Sequence, residues 1–422
     1  MKYKKTTIKN GLRIITVPMK DTQTATVVVM VGVGSRYESE KQAGLSHFIE
    51  HMFFKGTHKR PTTLSIGEEL DAIGGEYNAF TGKDRTLYYV KVDSKHLKVA
   101  LDVVSDIYLN SILDEKEIEK EKGTILQELN MYEDNPMASV GDVYEKLMYT
   151  ENSLGREIIG YKKTISSFRR QEFLDYMRRF YVANDTAVCI AGKFDEKSII
   201  RQVENYFEKM PHGPKPKYAK VKDVQKSPKV KVKFKKTDQT HLILGVRAFH
   251  ENHKDRYVLG LLSIILGGNM SSRLFIEVRE KQGLAYYVRS AVGAFEDCGY
   301  LATQAGVDHK NLSVTIKTIL KEYKKIATEK VSQKELQKAK DYIKGHSVMG
   351  FEASDEVAMF YIDQETRRKK IMSLEEVFKK FDKVTPADIL RVAKIIFKVK
   401  NLNLAVIGPQ NNNLKICNTL KF

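Results

Sequence analysis

A helix-then-strand pattern written twice constrains this chain more than any other feature. Phe168 to Phe194 reads FRRQEFLDYMRRFYVANDTAVCIAGKF, and Val384 to Gln410 reads VTPADILRVAKIIFKVKNLNLAVIGPQ. Leu174 matches Leu390, Ile190 matches Val406 and Gly192 matches Gly408, each pair 216 positions apart. In both copies an amphipathic helical stretch passes through a short polar turn into an apolar run closed by glycine. A match at one constant offset implies a duplicated domain of helices and strands, and 422 residues give room for two. Between the copies, residues 215–236 carry ten lysines against one acid, Asp223, and prolines stand at Pro211, Pro214, Pro216 and Pro228. That is the composition of a solvated connection. The expected division is therefore 1–210, a linker at 211–229, and 230–422.

Within the first half, Gly11–Pro18, Thr24–Val33, Glu76–Thr81 and Thr86–Val92 read as strands from their β-branched and aromatic content. Gln42–Lys55, Thr63–Ile73, Lys95–Leu109 and Glu115–Met131 read as helices. The second half opens with strands near Val230–Phe234 and His241–Val246. Helices at Tyr257–Leu266 and Ser272–Lys281 follow, then strands at Ala285–Ala294 and Tyr300–Ala305, then several helices. Helices gathered against hairpin-like strand pairs predict an α+β fold: two homologous domains, each a mostly antiparallel sheet packed with helices.

Several function classes fall away. The net charge of +18 invites a nucleic-acid reading, but half of it sits in the lysine strap. No RNP pattern, zinc knuckle or helix-turn-helix spacing accompanies it. No apolar run approaches the ~18–20 residues of a membrane span. Cys189, Cys298 and Cys417 are far apart and odd in number, with no CxxC spacing, so neither a disulfide framework nor a cysteine zinc site is indicated. The basic start, Met1 to Lys5, leads into an alternating segment and not into an apolar signal core. The expected setting is bacterial or archaeal cytoplasm, although a removed targeting peptide would leave the same sequence.

The chemistry-bearing segment is His47-Phe48-Ile49-Glu50-His51. On a helix, positions 47 and 51 lie one turn apart on one face. Two imidazoles so placed can bind one tetrahedral zinc. Glu50 beside them can take a proton from a water whose pKa the metal lowers toward ~7. A catalytic zinc usually takes three protein ligands and leaves one position open, so a carboxylate is missing. Glu115, Glu117, Glu119, Glu121 and Glu128 all stand on the next long helix. Glu128 sits at the edge of an apolar stripe formed by Ile125, Leu126 and Leu129, with Glu121 seven residues earlier on the same face. Spacing nominates Glu128 and does not choose it.

HFIEH is the inverted zincin motif, HxxEH. With AGLSHFIEHMFFKGT, GGEYNAFTGKDRTLYY at 74–89 and EKGTILQELNMYEDNP at 121–136, the chain resembles the M16 (pitrilysin-like) metallopeptidases, in particular their mitochondrial processing peptidase-like branch. The resemblance spans essentially the whole chain. It implies the metallohydrolase fold of that family and one zinc per chain held by His47, His51 and Glu128. Glu50 would be the general base and Glu121 the accessory glutamate. It also implies substrate contact by an Arg and a Tyr seven residues apart, which REKQGLAY supplies as Arg279 and Tyr286. A guanidinium and a phenol can both donate to a peptide carbonyl or a developing oxyanion.

Asn78, Ala79, Phe80 and Thr81 are expected on an edge strand, where an extended peptide can pair by β-augmentation as in the family. Family members of this length work as pairs of chains. Because the zinc motif and the Arg/Tyr pair stand on one chain, a homodimer acting on short or unfolded peptides is the expectation, with neither nucleic acid nor membrane as partner. The alternatives are a non-catalytic structural relative of the same fold, or one half of a heteromeric peptidase.

Overall fold

The β-branched runs of the sequence become the strands of two sheets in the computed structural model, which describes residues 1–222, 224–368, 370–410 and 419–421. The first sheet contains β1 (Lys4–Thr7), β2 (Arg13–Pro18), β3 (Thr24–Val31), β4 (Glu76–Thr81), β5 (Thr86–Asp93) and β6 (Thr186–Gly192). Their order is β1-β2-β6-β3-β5-β4. The second contains β7 (Lys229–Phe234), β8 (Thr240–Ala248), β9 (Ala285–Ala294), β10 (Gly299–Val307) and β11 (Leu402–Gly408), ordered β7-β11-β8-β10-β9.

The duplication extends to topology. In the first sheet β2 pairs parallel with β6, and β6-β3-β5-β4 is antiparallel throughout. In the second, β7 pairs parallel with β11, and β11-β8-β10-β9 is antiparallel. Only β1 has no counterpart among the described residues. Gly192, one of the matched glycines, has φ +123°, and a Cβ there would stand 2.2 Å from the carbonyl oxygen of Thr24. No other residue fits that position.

The helices that cover these sheets or carry the chemistry-bearing residues include α1 (Leu45–Met52), α2 (Glu115–Asp134), α3 (Pro136–Met148) and α4 (Ser354–Arg367). Leu45, Phe48, Ile49 and Met52 of α1 pack with Val27, Val29, Tyr88 and Val90 on one face of the first sheet. The other face, through Ile15, Val17, Val28, Met30 and Cys189, is covered by Val357, Ala358, Tyr361 and Ile362 of α4. In the second sheet Ile243, Ala302, Ala405 and Ile407 are covered by Val140, Tyr144 and Met148 of α3.

Each sheet therefore borrows a covering helix from the other half of the sequence. The compact units are Met1–Asn130 with Arg156–Ala219 and Ser347–Leu374, and Met131–Gly155 with Lys220–His346 and Glu375–Phe422. The linear division at 1–210, 211–229 and 230–422 differs from these units: it separates the strands, apart from Lys229 of β7, but not α3 and α4. An apolar helical stripe specifies that a helix is covered, not which sheet covers it. Cys189 and Cys298 are buried, and Cys417 lies outside the described residues. Among the described residues no helix is long and apolar enough to cross a membrane.

Candidate metal centre

α1 begins three residues later than its periodicity predicts, because Gly44 stands at φ +99° as its N-cap. A Cβ there would meet the carbonyl oxygen of Ile159 at 2.5 Å, so the helix must start at a glycine. Two of its exposed N-terminal donors are satisfied by one buried carboxylate. Glu38 accepts from the Gly44 N–H at 2.9 Å and from the Ser46 N–H at 2.7 Å. Burial pushes its carboxyl up to about 7 against the pull of those bonds. Ser46 also meets the hydroxyl of Tyr176 at 2.8 Å. The helix that carries the motif is thus anchored at its start.

With the apolar side of α1 committed to the core, His47 and His51 share the opposite side, their rings 4.7 Å apart. α2 buries Ile118, Glu121, Ile125 and Leu129, which turns Glu128 toward the histidines. Glu128 Oε1 lies 3.6 Å from His47 Nε2, and Glu128 Oε2 lies 3.4 Å from His51 Nε2. One ligand atom from each residue falls within 4.8 Å of the others. Donors at ~2.0–2.2 Å from a tetrahedral ion stand about 3.3 Å apart, so these three residues fit zinc and leave one position open. Among the described residues no other group of three histidine, cysteine or acidic side chains is so arranged. Glu115 and Glu119 are exposed and Glu117 half-buried on the same helix, none of them in this cluster.

Glu121, 3 % exposed, accepts from His51 Nδ1 at 2.9 Å, and its other oxygen lies 2.5 Å from Lys55 Nζ. A carboxylate on Nδ1 fixes the ring and leaves Nε2 free to bind metal. Burial opposes the charge of Glu121, but the bonds to His51 and Lys55 prevail and hold its carboxyl below the usual range. Burial would likewise lower His51, yet Glu121 and Glu128 raise it to about 9. His47 is pushed down, first by burial and then by His51. Its Nδ1 is buried with no hydrogen-bond partner among the described residues, so the two ligands are braced unequally. Glu121→Ala is expected to weaken zinc binding by about 10–100-fold. Competition with a coloured chelator would read that loss directly, and unchanged affinity would refute the bracing role.

Glu50 lies half-buried beside the cluster. Burial raises its carboxyl, and the hydroxyl of Thr81, which donates to Glu50 Oε2, pulls it back. β4 is the free edge of its sheet, as expected. Asn78 and Phe80 are exposed along it and Ala79 is half-buried, whereas the Thr81 side chain turns inward to Glu50. The hydroxyl of Thr81 is thus committed to Glu50, while its main chain remains on the edge strand. The alternation of the pleat puts Tyr77, Ala79 and Thr81 on one face of the strand.

Arg279 and Tyr286 belong to the other compact unit. Arg279 sits on a turn of π-helix, Phe275–Glu280, where a regular helix was expected over Ser272–Lys281. Its guanidinium lies 4.8 Å from the Phe275 ring centre and 5.6 Å from that of Tyr286. Tyr286, at the start of β9, is 77 % exposed. The helix expected at Tyr257–Leu266 runs from Arg256 to Gly267 and packs against β9.

Sequence reasoning missed Lys55 and Glu38. Lys55 stands four residues after His51, in the turn that follows α1, so the helix spacing did not place it beside Glu121. Glu38 lies outside the helix it caps, so no periodicity pointed to it.

Comparison with known proteins gives the family of the chain. Residues 13–162 match the family described as insulinase (peptidase family M16), and residues 167–343 match the peptidase M16 inactive domain. A Bacillus subtilis protein named as an uncharacterized zinc protease is 34% identical over 409 residues, covering 97% of this chain and 99% of its own. A crystal structure of a protease from Helicobacter pylori superposes with a TM-score of 0.91 at 24% identity, over 97% of this chain and 99% of that one. A chain of complex III2 from Candida albicans superposes at 0.87 with 18% identity, over 99% of this chain and all of its own, 100%. These two structures bear on the fold alone.

Proposed function

This chain belongs to the insulinase family of peptidases, M16, and from that premise we propose that it is a zinc-dependent endopeptidase of short or unfolded peptides. The observation that carries the reading is the His47–His51–Glu128 donor set with Glu50 held beside it. Bound there, zinc supplies a Lewis acid that lowers the pKa of water toward ~7 and polarises a carbonyl. Glu50 takes the proton of the attacking water and returns it to the departing amine. Glu121 keeps the His51 ring oriented through Nδ1. The free edge of β4 receives an extended peptide through main-chain hydrogen bonds, which favours unfolded substrates over particular sequences. Arg279, half-buried, and Tyr286, exposed, are the proposed donors to substrate carbonyls. A homodimer with complete machinery on each chain is the proposed assembly, and the three widely spaced cysteines fit the reducing cytoplasm of a bacterium or archaeon.

The test is cleavage of a mixed, fluorescence-quenched peptide library by the purified chain, before and after chelation and after zinc is restored. Cleavage that disappears with the metal and returns with it supports the peptidase. A zinc-loaded chain that cuts nothing would move the reading to a non-catalytic relative or to half of a heteromeric enzyme. Light scattering at 48.3 kDa for the fully active protein would remove the dimer.

A further inference from the structure

We propose that Thr81 is the positioning residue of the general base, tying the substrate-pairing strand to the catalytic helix. This rests on the peptidase reading above.

Thr81 closes β4, paired with Thr86 at the last register position before the hairpin turn, where the Gly82 N–H donates to the carbonyl of Arg85 at 2.8 Å. Its backbone is therefore fixed from both sides. Its side chain is 5 % exposed while that of Phe80 beside it is 49 % exposed, so the hydroxyl is committed to the interior face. There it donates to Oε2 of Glu50. Among the described residues Thr81 is the hydrogen-bond partner of that carboxylate, and Oε1 is left without one.

A carboxylate free to rotate presents either oxygen to a water, in any plane. One with an oxygen held by a fixed donor presents the other in a single orientation, which is the geometric requirement for proton abstraction. The donor stands on the strand whose open edge would pair with a peptide. A peptide docking along β4 is thereby held by the same rigid element that aims the base. The consequence falls on turnover more than on binding, because the hydroxyl does not face the open edge.

The experiment compares wild type with Thr81→Val and Thr81→Ser. Valine keeps the shape and removes the donor, and serine restores it. Thr81→Val should retain zinc, keep KM within about twofold and lose kcat by about tenfold or more, with Thr81→Ser recovering most of it. A second readout needs no activity. Melting temperatures of Thr81→Val, Glu50→Ala, which removes the acceptor, and the double variant should be non-additive by about 2 °C or more.

Wild-type kcat in Thr81→Val overturns the proposal. So does a loss confined to KM, which would make Thr81 a substrate-binding residue, and so does a loss that follows the loss of zinc. A wild type that cleaves no peptide defeats the peptidase reading, yet the melting cycle still decides the contact. Additive melts then overturn the coupling, and non-additive ones sustain it.

Discussion

Replacing Glu50 by glutamine is expected to cut peptide hydrolysis by about 10²–10⁴-fold while zinc stays bound at about one ion per chain. Glutamine keeps the volume of the side chain and an oxygen able to accept from the Thr81 hydroxyl. The ligands His47, His51 and Glu128 are untouched. What disappears is a group able to accept the proton of water. Burial raises the Glu50 carboxyl above the ordinary carboxylate value, with Thr81 and His51 limiting the rise, and a raised carboxylate is the more basic proton acceptor. Metal content and cleavage of the same peptide, measured on both proteins, separate the possibilities. Cleavage at the wild-type rate with glutamine at position 50 would remove Glu50 as the base. Loss of zinc together with activity would show that the substitution had disturbed the site itself.

The second large effect concerns folding. Residues 1–219 and 220–422, produced separately, are each expected to fail as stable domains, and to yield soluble, zinc-binding protein when produced together. The first piece lacks α4, whose Val357, Tyr361 and Ile362 are fully buried on the first sheet. The second lacks α3, with Val140, Tyr144 and Met148 on the second sheet. Burying each such side chain is worth about 1.5–3 kcal/mol. Three of them approach the whole stability of an ordinary domain, about 5–15 kcal/mol. The bared faces, Ile15, Val17, Val28 and Met30 in one and Ile243, Ala405 and Ile407 in the other, would then be aggregation surfaces. Dye binding to exposed apolar surface and the absence of a cooperative melt are the expected signatures. A cooperative melt from either piece alone would mean that the borrowed helix is dispensable. A milder version is Tyr361→Ala in the whole chain, expected to cost about 3–5 kcal/mol.

These two results fall on opposite sides of what could be read from sequence. The metal site lies almost wholly on two helices. Its ligands are fixed by a spacing of four on α1 and by an apolar stripe on α2, both local consequences of 3.6 residues per turn. Even so, spacing only nominated Glu128 among five acids. The choice required α2 to bury Ile125 and Leu129 and so to aim Glu128 at His47 and His51. The strand set was legible for the same reason. β-branched runs mark strands, and the helix–strand repeat at one offset pointed to a duplicated domain, whose common strand order the structure supplied.

Three features belonged to tertiary structure alone. The anchoring of α1 by Glu38, the turning of Thr81 to Glu50 and the exchange of α3 and α4 all join residues distant in sequence. Glu38 is a surface acid by composition until a helix terminus arrives at its carboxylate. Thr81 reads as one more residue of an edge strand until the pleat and the hairpin decide its face. α3 and α4 each carry an apolar stripe that any bare sheet could cover. Periodicity encodes which side of an element is buried, and so the sequence by itself determined the elements, their duplication and the chemistry on α1. Against what each side is buried depends on chain-wide packing, and that decided the units, the third ligand and the hold on the base.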